Sequence, residues 1–140
     1  MFFCLLLLSC GASKPEPPQE VFKKITYRSS GRNYSLVIVA EAKQWQIASK
    51  RDRISQVKPM AAGLWQELQR ASQNLTDSLI TNTQAPSRNF TFDGGYHTQL
   101  EFVTLSDTTL TTLPFDHNRP PAVFREIITI LLEENGFPEK

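Results

Sequence analysis

The chain of 140 residues holds only two cysteines, Cys4 and Cys10, both at its extreme N-terminus. The segment able to fold, 21–136, therefore has no disulfide to brace it and must hold together through its core. That length suffices for one domain with a real core and is too short for two. Charge of one sign is also missing. Lys and Arg number 15, Asp and Glu 14, for a net charge of +1. Scattered charges of this kind lack the basic footprint of a nucleic-acid binder, so no nucleic-acid partner is expected. No apolar run approaches the roughly 20 residues of a membrane-spanning helix. The longest, Phe2 to Leu8, stops well short of it.

Catalytic equipment is equally scarce. There is no Gly-x-Ser-x-Gly elbow, and the segment 21–136 contains no cysteine thiol to act as a nucleophile. Glycine occurs six times, and Asp93-Gly94-Gly95 runs into a strand pattern, whereas a phosphate-cradling loop would open a helix. The two histidines, His97 and His117, have Asp93 and Asp116 near them in sequence. The spacing between these residues is not that of a metal site, so both histidines are expected at the surface. Glu133-Glu134 falls on the exposed end of a helix. The expectation is a protein that is not an enzyme and needs no metal or cofactor. Asn-x-Ser/Thr triplets beginning at Asn33, Asn74 and Asn89 are read as accidental.

What is present begins with Leu5-Leu6-Leu7-Leu8-Ser9-Cys10-Gly11, an apolar run that ends in a small residue and a cysteine. This resembles the lipobox of bacterial lipoproteins. The resemblance implies that 1–9 is a signal peptide and that Cys10 becomes the lipidated first residue of the mature chain. No Lys or Arg precedes the run, a departure from the usual charged n-region. One acyl chain anchors only marginally. The modification implied for Cys10 adds a diacylglyceryl group and usually an N-acyl chain, which is enough for stable attachment. Residues 10–20 then form a lipidated, Pro-rich tether, with Pro15, Pro17 and Pro18 favouring an extended chain. The expected location is the cell envelope. In many Gram-negative lipoproteins an Asp after the cysteine retains the protein at the inner membrane. Gly11 stands there instead, which favours the outer membrane.

Strand patterns occupy Ile25 to Arg28, Tyr34 to Ala40, and Trp45 to Ile47, the last two reading as a hairpin over 34–48. Lys50-Arg51-Asp52-Arg53 reads as a charged turn, with lipid headgroups as the alternative contact. A helix is predicted from Pro59 to about Gln73, with Ala61, Leu64, Leu68, Ala71 and Leu75 on the buried face. Trp65 takes its edge, and Gln66, Gln69, Arg70 and Gln73 take the exposed face. Phe90 and Phe92 then lead into the turn signal Asp93-Gly94-Gly95. Tyr96 to Leu105 alternates, with His97 on the open face, and Thr108 to Leu113 follows. A second helix runs from about Pro121 to Asn135, with Val123, Phe124, Ile127, Ile128, Ile130 and Leu131 buried. Gly136 caps it, Pro138 stops it, and 137–140 form a tail. The predicted fold is α+β: one antiparallel sheet of about five to six strands, order βββ-α-ββ(β)-α, with two helices on one face. An open face bearing His97, Gln99, Glu101 and the Thr108-Thr109-Leu110-Thr111-Thr112 stretch could meet a protein partner, an edge strand being one compatible mode.

Ile25-Thr26-Tyr27-Arg28-Ser29-Ser30-Gly31, the amphipathic segment Leu64 to Leu75, and Asp93-Gly94-Gly95-Tyr96 carry a second resemblance. With Leu100 to Leu113 and the Pro-initiated segment Pro120-Pro121 to Leu132, they resemble the emfourin-like domains. These are small secreted bacterial proteins associated with inhibition of thermolysin-type metalloproteases. The resemblance implies a protein partner in the envelope and a contact segment at Ser29, Ser30, Gly31, Arg32, Asn33 and Tyr34. Arg32 follows Gly31 where that family usually doubles the glycine. Together these readings describe a membrane-anchored, non-catalytic binding domain. The alternative is a structural or accessory lipoprotein of an envelope assembly.

Overall fold

A computed structural model describes residues 11, 13, 14, 16 and 19–137. Cys4, Cys10, the apolar run, tether prolines Pro15, Pro17 and Pro18, and Pro138 lie outside the described residues. The described chain is α+β, with strands β1 (Phe22–Gly31), β2 (Tyr34–Glu41), β3 (Gln44–Ser49) and β4 (Ile54–Pro59) first. Helices α1 (Ala62–Ser72) and α2 (Asp77–Asn82) follow. Then come β5 (His97–Thr104), β6 (Thr109–Thr111), β7 (Phe115–Asp116) and α3 (Arg125–Glu133). All strands join one antiparallel sheet in the order β4-β3-β2-β1-β5-β6, with β7 also on β5. The α+β antiparallel expectation therefore holds.

Two-residue alternation decides which face is buried. Ile25 and Tyr27 of β1 pair with Ala40 and Ile38 of β2 and with Phe102 and Leu100 of β5. Trp45 and Ile47 of β3 continue the same rows. Near the start of β1 the register against β5 shifts between Phe22 and Lys24. This bulge brings Phe22 onto the same face as Ile25 despite their odd spacing, and its ring meets Phe102 at 4.9 Å. Leu68 of α1 and Ile127, Ile128 and Leu131 of α3 close over that face and join one core cluster. Both long helices thus cover one side of the sheet.

Four expectations need correction. Pro59 ends β4 and does not open the first helix. An edge strand tolerates a proline because the ladder there needs no further N–H. The helix itself begins at Ala62 with no side-chain cap. Gln69, expected on the exposed face, is only 1% exposed. Its Oε1 accepts from Val21 N–H (2.6 Å) and Phe22 N–H (3.2 Å), and its Nε2 donates to Phe22 C=O at 2.8 Å. The amide stands in for a missing strand neighbour at the start of β1. The helix buries Trp65, Leu68, Gln69 and Ser72, a stripe one step round from the one expected. Phe90 lies within a 3-10 turn (Asn89–Thr91) and Phe92 follows it, so neither is in a strand, and Phe92 is 70% exposed. The second helix is shorter than expected: Ala122–Phe124 is a 3-10 turn, α3 starts at Arg125, and Val123 is exposed.

Gly136 caps α3 as expected, at φ 78°. Its N–H donates to Glu133 C=O and Phe137 N–H to Leu132 C=O, the paired bonds of a Schellman motif. Phe137 is thereby turned back against the core.

Candidate functional site

The inner face of the sheet changes character toward the β1–β2 turn. Ser29, still inward, is buried and hydrogen-bonded through its hydroxyl to Thr98 Oγ1 at 2.9 Å. The next inward position on β1 is Gly31, paired directly with Tyr34 of β2. On its other side lies Tyr96, immediately before β5, which would meet a Cβ on Gly31 at 2.4 Å. Glycine is thus required there by close approach. Across the gap above Gly31 the two tyrosine rings stack, centroids 4.6 Å apart and planes 15° from parallel. His117 packs against Tyr96 at 4.6 Å, tilted by 52°. A row of three rings is therefore held by two glycine-adjacent strands and the loop after β7.

The β3–β4 turn reaches the same end of the sheet. Lys50 N–H donates to Ser35 C=O at 2.9 Å, which docks the turn beside β2. Asp52 closes it by accepting from Ser49 Oγ at 2.6 Å, while its N–H donates to Ser49 Oγ at 3.3 Å. Arg53 takes the left-handed conformation at φ 54° to re-enter β4. Arg51 and Asp52 then join Tyr27, Tyr34, Tyr96, His117 and Asn118 around a cleft of about 510 Å³, with Leu132, Gly136 and Phe137 from the end of α3. This lies inside the usual range for small-molecule sites. The Tyr34 hydroxyl is pushed above the ordinary phenol pKa, first by burial, then by Tyr96 and Asp52, with Arg51 acting in the opposite sense. It stays protonated and able to donate at neutral pH.

The expected contact segment is split by this arrangement. Gly31 and Tyr34 build the cleft, and Arg32 and Asn33 form the exposed hairpin tip. Arg32 lies 3.9 Å from Asp93. Ser30 points to the open face, and Ser29 is locked inside. Both histidines are exposed, as expected: His97 meets Phe90 edge-on at 5.4 Å, and His117 belongs to the ring row. Asp116 is buried and accepts from Ser87 Oγ and from Asn89 N–H at 3.2 Å. It pins the loop before Tyr96. Among the described residues no three His, Cys, Asp or Glu side chains cluster as metal ligands would.

Asn118 and Phe137 have no signal in the sequence, and Tyr27 reads there only as a strand residue of the 25–31 segment. The one local signal for the site was a glycine closing a hairpin opposite a tyrosine. Comparison with protein-family models, with curated proteins and with solved structures returns no match to this chain.

Proposed function

We propose that this chain is a membrane-anchored, non-catalytic binding module that engages its partner with the β1–β2 end of the sheet. The observation that carries the reading is the ring row over Gly31 beside an open cleft. Such rigid aromatic side chains lose little conformational freedom on contact. The exposed tip Arg32-Asn33 projects from the same hairpin and would meet a protein partner first. The anchor rests on the lipobox resemblance at Cys10, and a role against thermolysin-type metalloproteases rests on the emfourin-like resemblance alone.

The test is photo-crosslinking in intact cells from Arg32, Asn118 and, as a control, Gln66 on the exposed side of α1. Discrete protein adducts from Arg32 and Asn118, absent from Gln66, are the expected result. Equal or absent adducts at all three positions would contradict the proposal. For the inhibitor role, the full chain is incubated with a thermolysin-type protease; cleavage of the chain without inhibition rejects that role.

A structural or accessory role has a separate observation in its favour. On the open face, Val37, Val39, Ala48 and Val57 line a shallow groove of about 270 Å³, and Val57 on edge strand β4 is 65% exposed. Isolated exposed valines are ordinary, but a row leading to an open strand edge suits assembly by strand addition. Adducts from Val57, and none from Arg32, would favour this second role.

A further inference from the structure

We infer that the cleft between Tyr34, Arg51 and His117 is a carbohydrate site, taking a neutral polyhydroxylated ligand of one or two sugar rings. The inference rests on the β1–β2 end being the binding end and names what the cleft there would hold.

Its lining excludes the other classes in turn. An organic cation in an aromatic cage needs open ring faces, but Tyr34 and Tyr96 turn theirs onto each other at 4.6 Å. Arg51, also in the lining, repels a cation. An anion meets Asp52 and approaches the C-terminal end of α3, where the helix dipole is unfavourable even though Gly136 N–H, Phe137 N–H and Lys58 Nζ already bond the last carbonyls. Glu133 and Glu134 stand in that same last turn. With one arginine against one aspartate, the charges balance, and neither takes part in the ion pairs found among the described residues. A purely apolar ligand would bury these charged groups and the tyrosine hydroxyls without partners. An extended peptide pairs with a strand edge. β1, β2 and β3, which carry or flank this end, are each paired on both sides. The free edge nearest the cleft is β7, which is two residues long and whose Asp116 C=O is already taken by Arg119 N–H at 3.0 Å, too little to seat a strand.

What remains is a neutral ligand rich in both donors and acceptors, with some apolar surface. Sugars have that chemistry. Arg51 offers a planar fork of donors, Asp52 acceptors, Asn118 both, and Tyr34 a hydroxyl able to donate and accept. Leu132 and Phe137 give an apolar floor for ring C–H groups. The cleft, about 510 Å³, has room for more than a single ring.

The experiment titrates the full chain, in a sugar-free detergent, with N,N′-diacetylchitobiose and cellobiose, and in parallel with a neutral tetrapeptide and inorganic phosphate. Calorimetry or saturation-transfer NMR reads binding. The expected result is saturable binding of at least one disaccharide at a Kd of about 1 mM or tighter. It should weaken about tenfold in Arg51→Ala and in Tyr34→Phe and remain unchanged in Gln66→Ala, on the exposed side of α1. Tyr34→Phe keeps the ring stack, so its loss reports the hydroxyl and not the fold. Binding of the peptide or phosphate in place of both sugars overturns the inference, as does sugar binding indifferent to Arg51 and Tyr34. If no sugar binds while adducts from Arg32 and Asn118 persist, the ligand class is wrong and the binding end stands. If both fail, both are wrong.

Discussion

At the scale of single residues, Gly31 and Gln69 do the most with the least. Gly31 leaves a gap that Tyr96 fills, so adding one methyl forces the ring off Tyr34. Gly31→Ala is expected to destabilise the fold by about 1–3 kcal/mol, as overpacking does, measured by urea denaturation. The same change exposes Tyr34, so its pKa should fall toward the ordinary phenol value in a spectrophotometric titration. In the wild type that pKa is raised on folding. The neutral form is thus favoured in the native state, and the contribution to stability is intact below about pH 10. It is lost as pH rises through the elevated folded value, and Tyr34→Phe should flatten that alkaline decline. Gln69 makes three hydrogen bonds to the backbone of Val21 and Phe22. Gln69→Leu leaves those buried groups unsatisfied and should cost about 2–4 kcal/mol, with faster hydrogen exchange at the Phe22 amide. Neither effect is visible to periodicity, which assigns a glutamine to the solvent face and a glycine to a turn.

At the scale of elements, legibility tracked how much of each element is buried on one face. β2 and β3 alternate against the core and are plain in the sequence. β4 is not: as an edge strand it is exposed along most of its length, so Ile54-Ser55-Gln56-Val57-Lys58-Pro59 carries little pattern, and Pro59 mimics a helix start. α2, only six residues long, is too short for a helical period to register. It is fixed instead by Thr76, whose Oγ1 accepts from Leu79 N–H at 3.2 Å. Thr76→Ala should therefore cost about 1 kcal/mol in thermal or urea unfolding, a loss that a propensity scale would not foresee. The cleft was legible only in part. Gly31 and Tyr34 share a hairpin, but Tyr96 reaches them through the β1–β5 pairing, and Arg51 and Phe137 through separate turns. Such non-local register lies beyond any window of sequence.

At the scale of the whole molecule, a sheet with helices on one side offers a partner its open face, its edges or its ends. In the proposed reading the ring row concentrates recognition at one end, and the anchor implied by the lipobox resemblance would tether the domain through the Pro-rich 10–20 segment. Cys10→Ser is expected to abolish lipid labelling and shift the chain from the membrane fraction to the soluble one; unchanged fractionation would contradict the anchor. The central claim is that the tyrosine stack over Gly31 organises the binding end. Its most direct measurement is photo-crosslinking in cells from Asn33, in the wild type and in Gly31→Ala, with circular dichroism confirming that the variant stays folded. The account predicts a discrete adduct in the wild type that is lost in the variant. An adduct of equal strength in a folded Gly31→Ala protein would contradict it.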